Sequence, residues 1–228
     1  MRFPLSIAVL ACLLGAGVPV VDAGPATDSL RTTFTEANRI ISDPSTASRP
    51  VDRLNAVRAL FSRAFDFSGA AEEALGSQWP VRTAAEQKEF TSLFAGFVQR
   101  GFVYWLASVA EVDDGTGGIT VHYLGEAVER ERTVVRTAIG RRGGRQVVLD
   151  HEMVYLGRRW MVRDVTIDGI SLVTNYRSQF DRVIRGSSYP DLLARLRTRV
   201  GSELPRPASI SPEAPGAELV KPVPFELR

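Results

Sequence analysis

The spacing of apolar residues changes twice along this chain, and these changes constrain its fold. Up to residue 106 the apolar residues recur at helical spacing, about every 3.6 residues. Between residues 119 and 167 they alternate with polar residues, which is typical of strands that bury one face. Helical spacing returns over residues 171–200. Helices followed by strands and then by more helices predict an α+β domain.

Four strands are predicted in the alternating region. They cover residues 119–128, 132–140, 145–156 and 159–167. Residues 141–144 include two adjacent glycines, and Gly157-Arg158 is a two-residue connection, so both are expected to be hairpin turns. Because hairpins join antiparallel strands, at least the last three strands are expected to be antiparallel.

Helices are predicted on both sides of the strands, over residues 27–106 and 171–200. The N-terminal ones cover residues 27–41, 51–65, 69–75 and a longer segment after Thr83. Glu86, three residues beyond Thr83, completes a capping-box pattern. Ser171 is a favourable N-cap for the first C-terminal helix, and Pro190 stands in the first turn of the second.

The N-terminus has the pattern of a secretory signal peptide. Arg2 precedes an apolar run over residues 5–14, and Val21-Asp22-Ala23 is a small-residue cleavage site, so residues 1–23 are assigned to a leader. A lipoprotein signal is the alternative, because apolar residues precede Cys12. Cys12 is the chain's single cysteine, so cleavage after Ala23 would leave no thiol for a disulfide or a metal site.

The C-terminus differs in composition from the rest of the chain. Residues 202–228 contain 6 of the 13 prolines and show little periodicity, which predicts a disordered Pro-rich tail. Residues 24–201 then form the folded domain.

Several function classes lack support in the sequence. A net charge of +2 without a basic, aromatic-rich cluster argues against nucleic-acid binding. The only histidines, His122 and His151, lack metal-ligand spacing, so no metal site is expected. Ser171 has no nucleophile-elbow setting, and no phosphate-binding glycine loop occurs. We therefore expect no catalytic residues and no cofactor.

Two stretches of the chain carry a family resemblance. Asp164, the turn Ile167-Asp168-Gly169-Ile170-Ser171-Leu172 and the run Asn175-Tyr176-Arg177-Ser178-Gln179-Phe180 resemble the signature of MlaC-type proteins, the toluene-tolerance family. Ala74-Leu75-Gly76-Ser77-Gln78-Trp79, followed by Gln87-Lys88-Glu89-Phe90 and Leu93-Phe94, resembles the N-terminal half of that family. The resemblance extends from about Thr27 to Val200.

The resemblance implies a soluble periplasmic phospholipid carrier of the Mla ABC transport system, with no catalysis. Its implied partners are an inner-membrane ABC transporter complex and an outer-membrane lipoprotein complex, which it would dock transiently. One group of members is associated with hopanoid synthesis, so a hopanoid-like lipid is an alternative cargo. An enzyme or a structural interaction module on the same fold is the other alternative.

The resemblance also implies a fold with a lipid cavity. A curled antiparallel sheet covered by helices would form a cone similar to nuclear-transport-factor proteins, with extra helices at both ends. Helix and sheet faces are expected to share one apolar interior, although periodicity alone does not separate a filled core from a cavity. The residues predicted to line it are Phe94, Phe97, Val121, Tyr123, Val135, Ile139, Val147, Leu149, Met153, Leu172, Tyr176 and Phe180.

One charged pair is expected between the last strand and the helix after it. Asp164 and Arg177 are predicted to form an internal salt bridge that fixes the helix on the sheet. The alternative role for Arg177 is contact with a lipid head group.

The signal peptide gives a first testable prediction. Because the small residues Val21 and Ala23 flank Asp22 as export peptidases require, the exported protein should begin at Gly24. Intact-mass analysis of the periplasmic protein measures this directly. A mass that fits a lipidated N-terminal Cys12 would instead support the lipoprotein alternative.

Overall fold

A computed structural model describes residues 20–21, 24–46, 48–110, 120–129, 132–140 and 146–201. Within these residues the chain forms six α-helices and one six-stranded sheet. The N-terminal elements are β1 (Val20–Val21), α1 (Pro25–Ile41), α2 (Pro50–Ala64), α3 (Phe67–Leu75) and α4 (Ala84–Ala110). They are followed by β2 (Thr120–Glu129), β3 (Arg132–Gly140), β4 (Gln146–Leu156), β5 (Arg159–Ile167), β6 (Ile170–Ser171), α5 (Leu172–Gly186) and α6 (Tyr189–Gly201).

The sheet is antiparallel, and its strands lie side by side in chain order. The predicted α+β class and antiparallel pairing are therefore confirmed. The prediction of four strands is wrong, because β1 and β6 extend the sheet at its two edges. Each of these strands has two residues, too few for an alternating pattern to be visible in the sequence. β1 also falls within the segment assigned to the signal peptide.

The predicted hairpin between β4 and β5 is confirmed. Gly157 and Arg158 have φ angles of 55° and 68°, as a tight two-residue hairpin turn requires. The predicted turn at residues 141–144 and the Pro-rich tail lie outside the described residues, as does all of the signal peptide except Val20 and Val21.

Irregular pairing bends two of the long strands. Leu124 is an extra residue on β2, between Tyr123 and Gly125, and Arg163 is an extra residue on β5, opposite Glu152 and Met153 of β4. Bulges of this kind increase the local twist of a strand. The twist of β2 and β5 therefore increases at these two points.

Side-chain caps fix the starts of three helices. Thr83 and Glu86 form the predicted capping box, with the Thr83 amide donating to Oε2 of Glu86 at 2.8 Å. Ser171 accepts a bond from the Thr174 amide at 3.0 Å, as predicted for α5. Asp66 caps α3 by accepting from the Gly69 amide at 3.0 Å.

The apolar residues form two cores rather than the single interior expected from the sequence. A helical core joins α3, α4, α5 and α6, and its largest fully buried side chains are Phe90, Phe94, Phe97 and Phe180. A sheet core joins α1 and α2 to one face of the sheet. Leu172, the first residue of α5, packs against both. Periodicity marks which face of an element is buried, but not which element covers it.

The outer edge of β5 is covered by the chain between α2 and α3. Phe65 bridges Val162 in parallel, and the Asp66 amide donates to the Val162 carbonyl at 2.8 Å. Arg163 of β5 donates to Oδ2 of Asp66 at 2.6 Å through Nη2 and at 2.9 Å through Nε. These contacts satisfy edge groups that would otherwise be open to another chain.

The predicted salt bridge between Asp164 and Arg177 is wrong. The buried Asp164 carboxylate accepts bonds from the Val165 amide at 2.7 Å, the Val173 amide at 3.0 Å and the Ser171 hydroxyl. Its oxygens are thus used by the turn that links β5 to α5. Arg177 lies elsewhere, with its guanidinium over Gly76 after α3.

Gly76 is held in a conformation that other residues rarely adopt. Its φ of 55° is combined with a ψ of −126°. A Cβ built on it would lie 2.5 Å from Nε and 2.8 Å from Cζ of Arg177. The backbone angles and this contact both favour glycine.

We expect Gly76→Ala to lower the free energy of unfolding by about 1–3 kcal/mol, mainly because of backbone strain. Urea denaturation of the purified protein measures the change. Gly186→Ala is the matched control, because a Cβ there would meet no atom within 4 Å, and it should be neutral or slightly stabilising. Equal midpoints for Gly76→Ala and the wild type would contradict the assigned strain.

Candidate functional site

The sheet face under α1 and α2 consists of side chains aligned in rows, since directly paired residues of antiparallel strands share a face. The row at one end contains Val121, Ile139 and Val147. The next row contains Tyr123, Thr137, Leu149 and Ile167. The middle row contains Glu126, Val135, His151 and Val165, and beyond it lie Thr133, Met153 and Val162.

Burial varies along this face. Val135, Ile139, Leu149 and Met153 are nearly inaccessible to solvent, at 0%, 1%, 6% and 2% exposure. Five other strand side chains that pack on the same core are only half-buried. Val121, Tyr123, Val147 and Ile167 belong to the first two rows, and Trp160 lies at the opposite end of the sheet. We call the first two rows the apolar end of the sheet. At this end, partly exposed apolar side chains border the buried sheet core.

Helix α1 crosses the middle of the face. The Thr27 amide and hydroxyl both donate to Oε2 of Glu126 at 2.8 Å, and the Phe34 ring meets the His151 ring edge-on at 5.9 Å. Between them, the Arg31 guanidinium lies 4.6 Å from the centre of the Tyr123 ring. Burial raises the pKa of Tyr123 to about 12, so its hydroxyl is protonated at neutral pH.

His151 is a buried histidine that burial keeps neutral. It is 4% exposed, and its Nε2 lies 2.9 Å from Oγ1 of Thr137. Burial lowers the pKa of His151 to about 4, although the nearby Asp150 acts in the opposite direction. The two polar side chains of the middle row, Glu126 and His151, are therefore hydrogen-bonded within the same domain.

The predicted lipid-lining residues are divided between the two cores. The sheet residues Val121, Tyr123, Val135, Ile139, Val147, Leu149 and Met153 lie together on the face under α1 and α2, and Leu172 reaches them from the start of α5. The helical residues are packed against one another in the other core: Phe94, Phe97, Tyr176 and Phe180.

The helical residues form a dense aromatic cluster. Tyr176 and Phe180 stack at 6.0 Å, and both meet the Phe94 ring edge-on, at 5.8 Å and 6.0 Å. Phe97 contacts Tyr176 edge-on at 5.4 Å. Burial raises the pKa of the Tyr176 hydroxyl, which therefore stays protonated. Rings packed in this way form a filled core.

The sequence did not indicate which helices cover the sheet face. Leu30, Phe34 and Val57 are buried there, and Phe102 of α4 stacks on Phe61 of α2 at 4.2 Å. Helical periodicity marks four of these residues as apolar-face positions, namely Leu30, Phe34, Val57 and Phe61. Only the fold shows that α1 and α2 belong to the sheet and not to α3.

The described residues show no arrangement typical of a catalytic or metal site. In that part of the chain, no group of three or more His, Cys, Asp or Glu side chains can hold a metal ion. None of the described helices has an apolar stretch long enough to cross a bilayer. What the described geometry offers instead is an apolar surface beside a cation and a tyrosine hydroxyl.

The chain resembles known proteins in sequence pattern and in fold. The family model for the MlaC protein matches residues 31–198. A solved structure, the phospholipid-binding protein from Ralstonia solanacearum in complex with a phospholipid, superposes with a TM-score of 0.64. The two are 23% identical over 78% of this chain and 97% of that chain, which shows a common fold. No curated protein sequence matches the chain significantly.

His151 gives a testable pH dependence. Its pKa is about 4 in the folded protein and near 6.5 when unfolded, so between these values the unfolded chain binds more protons. Stability should be fully present above pH 6.5 and fall by up to about 3 kcal/mol as pH drops toward 4. Urea denaturation at a series of pH values measures the slope.

His151→Gln should make this slope shallower, because glutamine can still bond Thr137 but does not titrate. His122→Gln is the control, since His122 is exposed and should leave the slope unchanged. The same slope in the wild type and His151→Gln would contradict the role given to His151.

Proposed function

Because the chain belongs to the MlaC family, we propose that it is a non-catalytic periplasmic carrier that holds the acyl chains of a phospholipid in an internal apolar cavity. The observation that carries this proposal is the apolar end of the sheet, where half-buried side chains continue a fully buried core. The phospholipid bound to the Ralstonia solanacearum protein, which has the same fold, supports it. Export would follow from the signal peptide pattern.

The tails would lie against the first two rows of the sheet. The accessible members of those rows are Val121, Tyr123, Val147 and Ile167. Val135 and Met153, in the rows beyond, are buried. In this proposal the aromatic cluster of Phe94, Phe97, Tyr176 and Phe180 supports the site without touching the lipid. The curved sheet would form one wall of a cone-like cavity, with α1 and α2 as the other wall.

The phosphate of the head group would lie near Arg31. Its guanidinium is exposed above Tyr123, and among the described residues no carboxylate forms an ion pair with it. Guanidinium groups bind phosphate oxygens well because their donors match the phosphate geometry. The alternative role of Arg177 in head-group contact is less favourable, because Arg177 lies over Gly76 beside the helical core.

The energetics of acyl chains determine how such a carrier works. Burying hydrocarbon gains about 0.8 kcal/mol per CH₂, so two chains with about 30 carbons gain roughly 25 kcal/mol relative to water. Release into water would then be far too slow for transport. Transfer would require transient docking to membrane partners that offer another apolar site, in this proposal an inner-membrane ABC transporter complex and an outer-membrane lipoprotein complex.

Filling the apolar end should block lipid loading. We expect Val147→Trp to lose most of the lipid that co-purifies with the wild type, because the indole would occupy the space of the tails. The overpacking cost should be at most about 1–3 kcal/mol, because Val147 is only half-buried. Lipid is extracted from the folded protein, quantified per chain and identified by mass, which separates a phospholipid from a hopanoid-like cargo.

Val148→Trp is the matched control. Val148 is the next residue of β4 but points to the opposite face and is 43% exposed, so this variant should keep its lipid. Val121→Trp, in the same row as Val147, should reproduce the loss. The carrier proposal fails if the wild type holds no lipid; the placement of the tails fails if Val147→Trp and Val121→Trp fold and stay loaded.

A further inference from the structure

The start of α1 is capped by a side chain from the sheet. The N-cap residue Gly24 has no side chain to offer, and Glu126 of β2 takes this role by accepting both bonds of Thr27. Glu126 is 8% exposed, so its carboxylate is directed at the helix terminus from within the fold. Both Thr27 bonds go to Oε2, which leaves Oε1 facing Gly24.

Gly24 touches this carboxylate closely. A Cβ built on Gly24 would lie 2.4 Å from Oε1, 2.6 Å from Cδ and 2.7 Å from Oε2 of Glu126. The φ and ψ of Gly24 are −132° and 179°, which any residue adopts, so the backbone conformation does not explain the glycine. The close approach of Glu126 does.

We propose that Glu126 is the binding site for the α-ammonium group that signal-peptide cleavage creates on Gly24. This inference depends on the proposed cleavage after Ala23 and not on lipid binding. Once the bond to Ala23 is cut, the nitrogen of Gly24 is free to rotate about the Cα–C bond. A rotation of about 120° brings it to the side of the missing Cβ, and a shift of a few tenths of an ångström by the Glu126 side chain then sets the two groups at the distance of a charge-assisted hydrogen bond.

The ion pair between Glu126 and the Gly24 ammonium would compensate for an unfavourable charge that cleavage creates. A free ammonium at the start of a helix is unfavourable, because the N-terminal end of the helix dipole is also positive. The Glu126 carboxylate offsets both charges at once. Cleavage also removes β1, which pairs with β2 at Glu126 and Ala127, so the ion pair replaces a contact at the same place.

The other charged groups near this site are a carboxylate and two guanidinium groups. Asp28 lies in the first turn of α1, Arg31 lies over Tyr123 of β2, and Arg136 of β3 binds Asp150. Carboxylates titrate near pH 4 and guanidinium groups above pH 12. A transition between about pH 7 and 10 therefore reports on the α-amino group.

The test compares two proteins released from a cleavable fusion without added residues, one that begins at Gly24 and one that begins at Ala23. The extra residue separates the charge from Glu126, so the second should melt about 2–4 °C lower at pH 7. Each is also made with Glu126→Gln, in which the difference should vanish.

The pKa of the α-amino group gives a second readout, measured from the rate of acylation against pH. In the protein that begins at Gly24 it should lie above the ordinary range of about 7.7–8.0 and return to that range in Glu126→Gln. The stability advantage should be present at pH 7 and lost as pH rises through the raised pKa.

An ordinary α-amino pKa in the protein that begins at Gly24 would overturn the proposal even if Glu126→Gln does not fold. The proposal would also be overturned if the extra Ala23 lowered the melting temperature equally in the protein with Glu126 and in Glu126→Gln. An exported protein whose mass begins at another residue would remove the premise, while the lipid-loading results of Val147→Trp would stand.

Discussion

The carboxylate of Asp164 connects the two cores of this domain. It accepts bonds from two backbone amides and one hydroxyl across nine residues, and so holds the end of β5, the strand β6 and the start of α5 in one turn. Leu172, inside that turn, packs against both cores. A buried carboxylate costs free energy unless such bonds compensate for lost water. The turn that places α5 beside the sheet is therefore held by this one side chain.

The two cores that this turn joins differ in their packing. The helical core is filled with edge-to-face rings, and dense packing of this kind resists deformation. The sheet core has a different profile, because its buried centre continues into half-buried residues at the apolar end. A cavity that loads and releases lipid must change shape at one end without loss of the fold. The proposed carrier would have its rigid part and its adaptable part in separate cores.

The sequence predicts the elements well and their partners poorly. The α+β class, the long strands, the hairpin at Gly157-Arg158 and the caps at Ser171 and Thr83 follow from local patterns, and all are confirmed. β1 and β6 are too short to leave a pattern. The pairing of Asp164 with Arg177 is wrong because two charges at suitable spacing do not reveal which backbone donors surround the carboxylate. Likewise, an apolar face in the sequence does not show which element packs against it. A single interior was therefore expected where the structure has two cores.

The middle row of the sheet limits how deep hydrocarbon can lie. Glu126 and His151 stand side by side with Val135 there, and both are bonded within the protein, to Thr27 and Thr137. A lipid tail that separated these partners would leave buried polar groups unsatisfied, at a cost of about 1–3 kcal/mol each. In the first two rows Thr137 shares the bond of His151, but Thr137 is fully buried, so tails at the half-buried Val121 and Val147 would leave this bond intact. Substitutions at the apolar end should therefore change loading and spare stability, whereas substitutions in the middle row should change stability first.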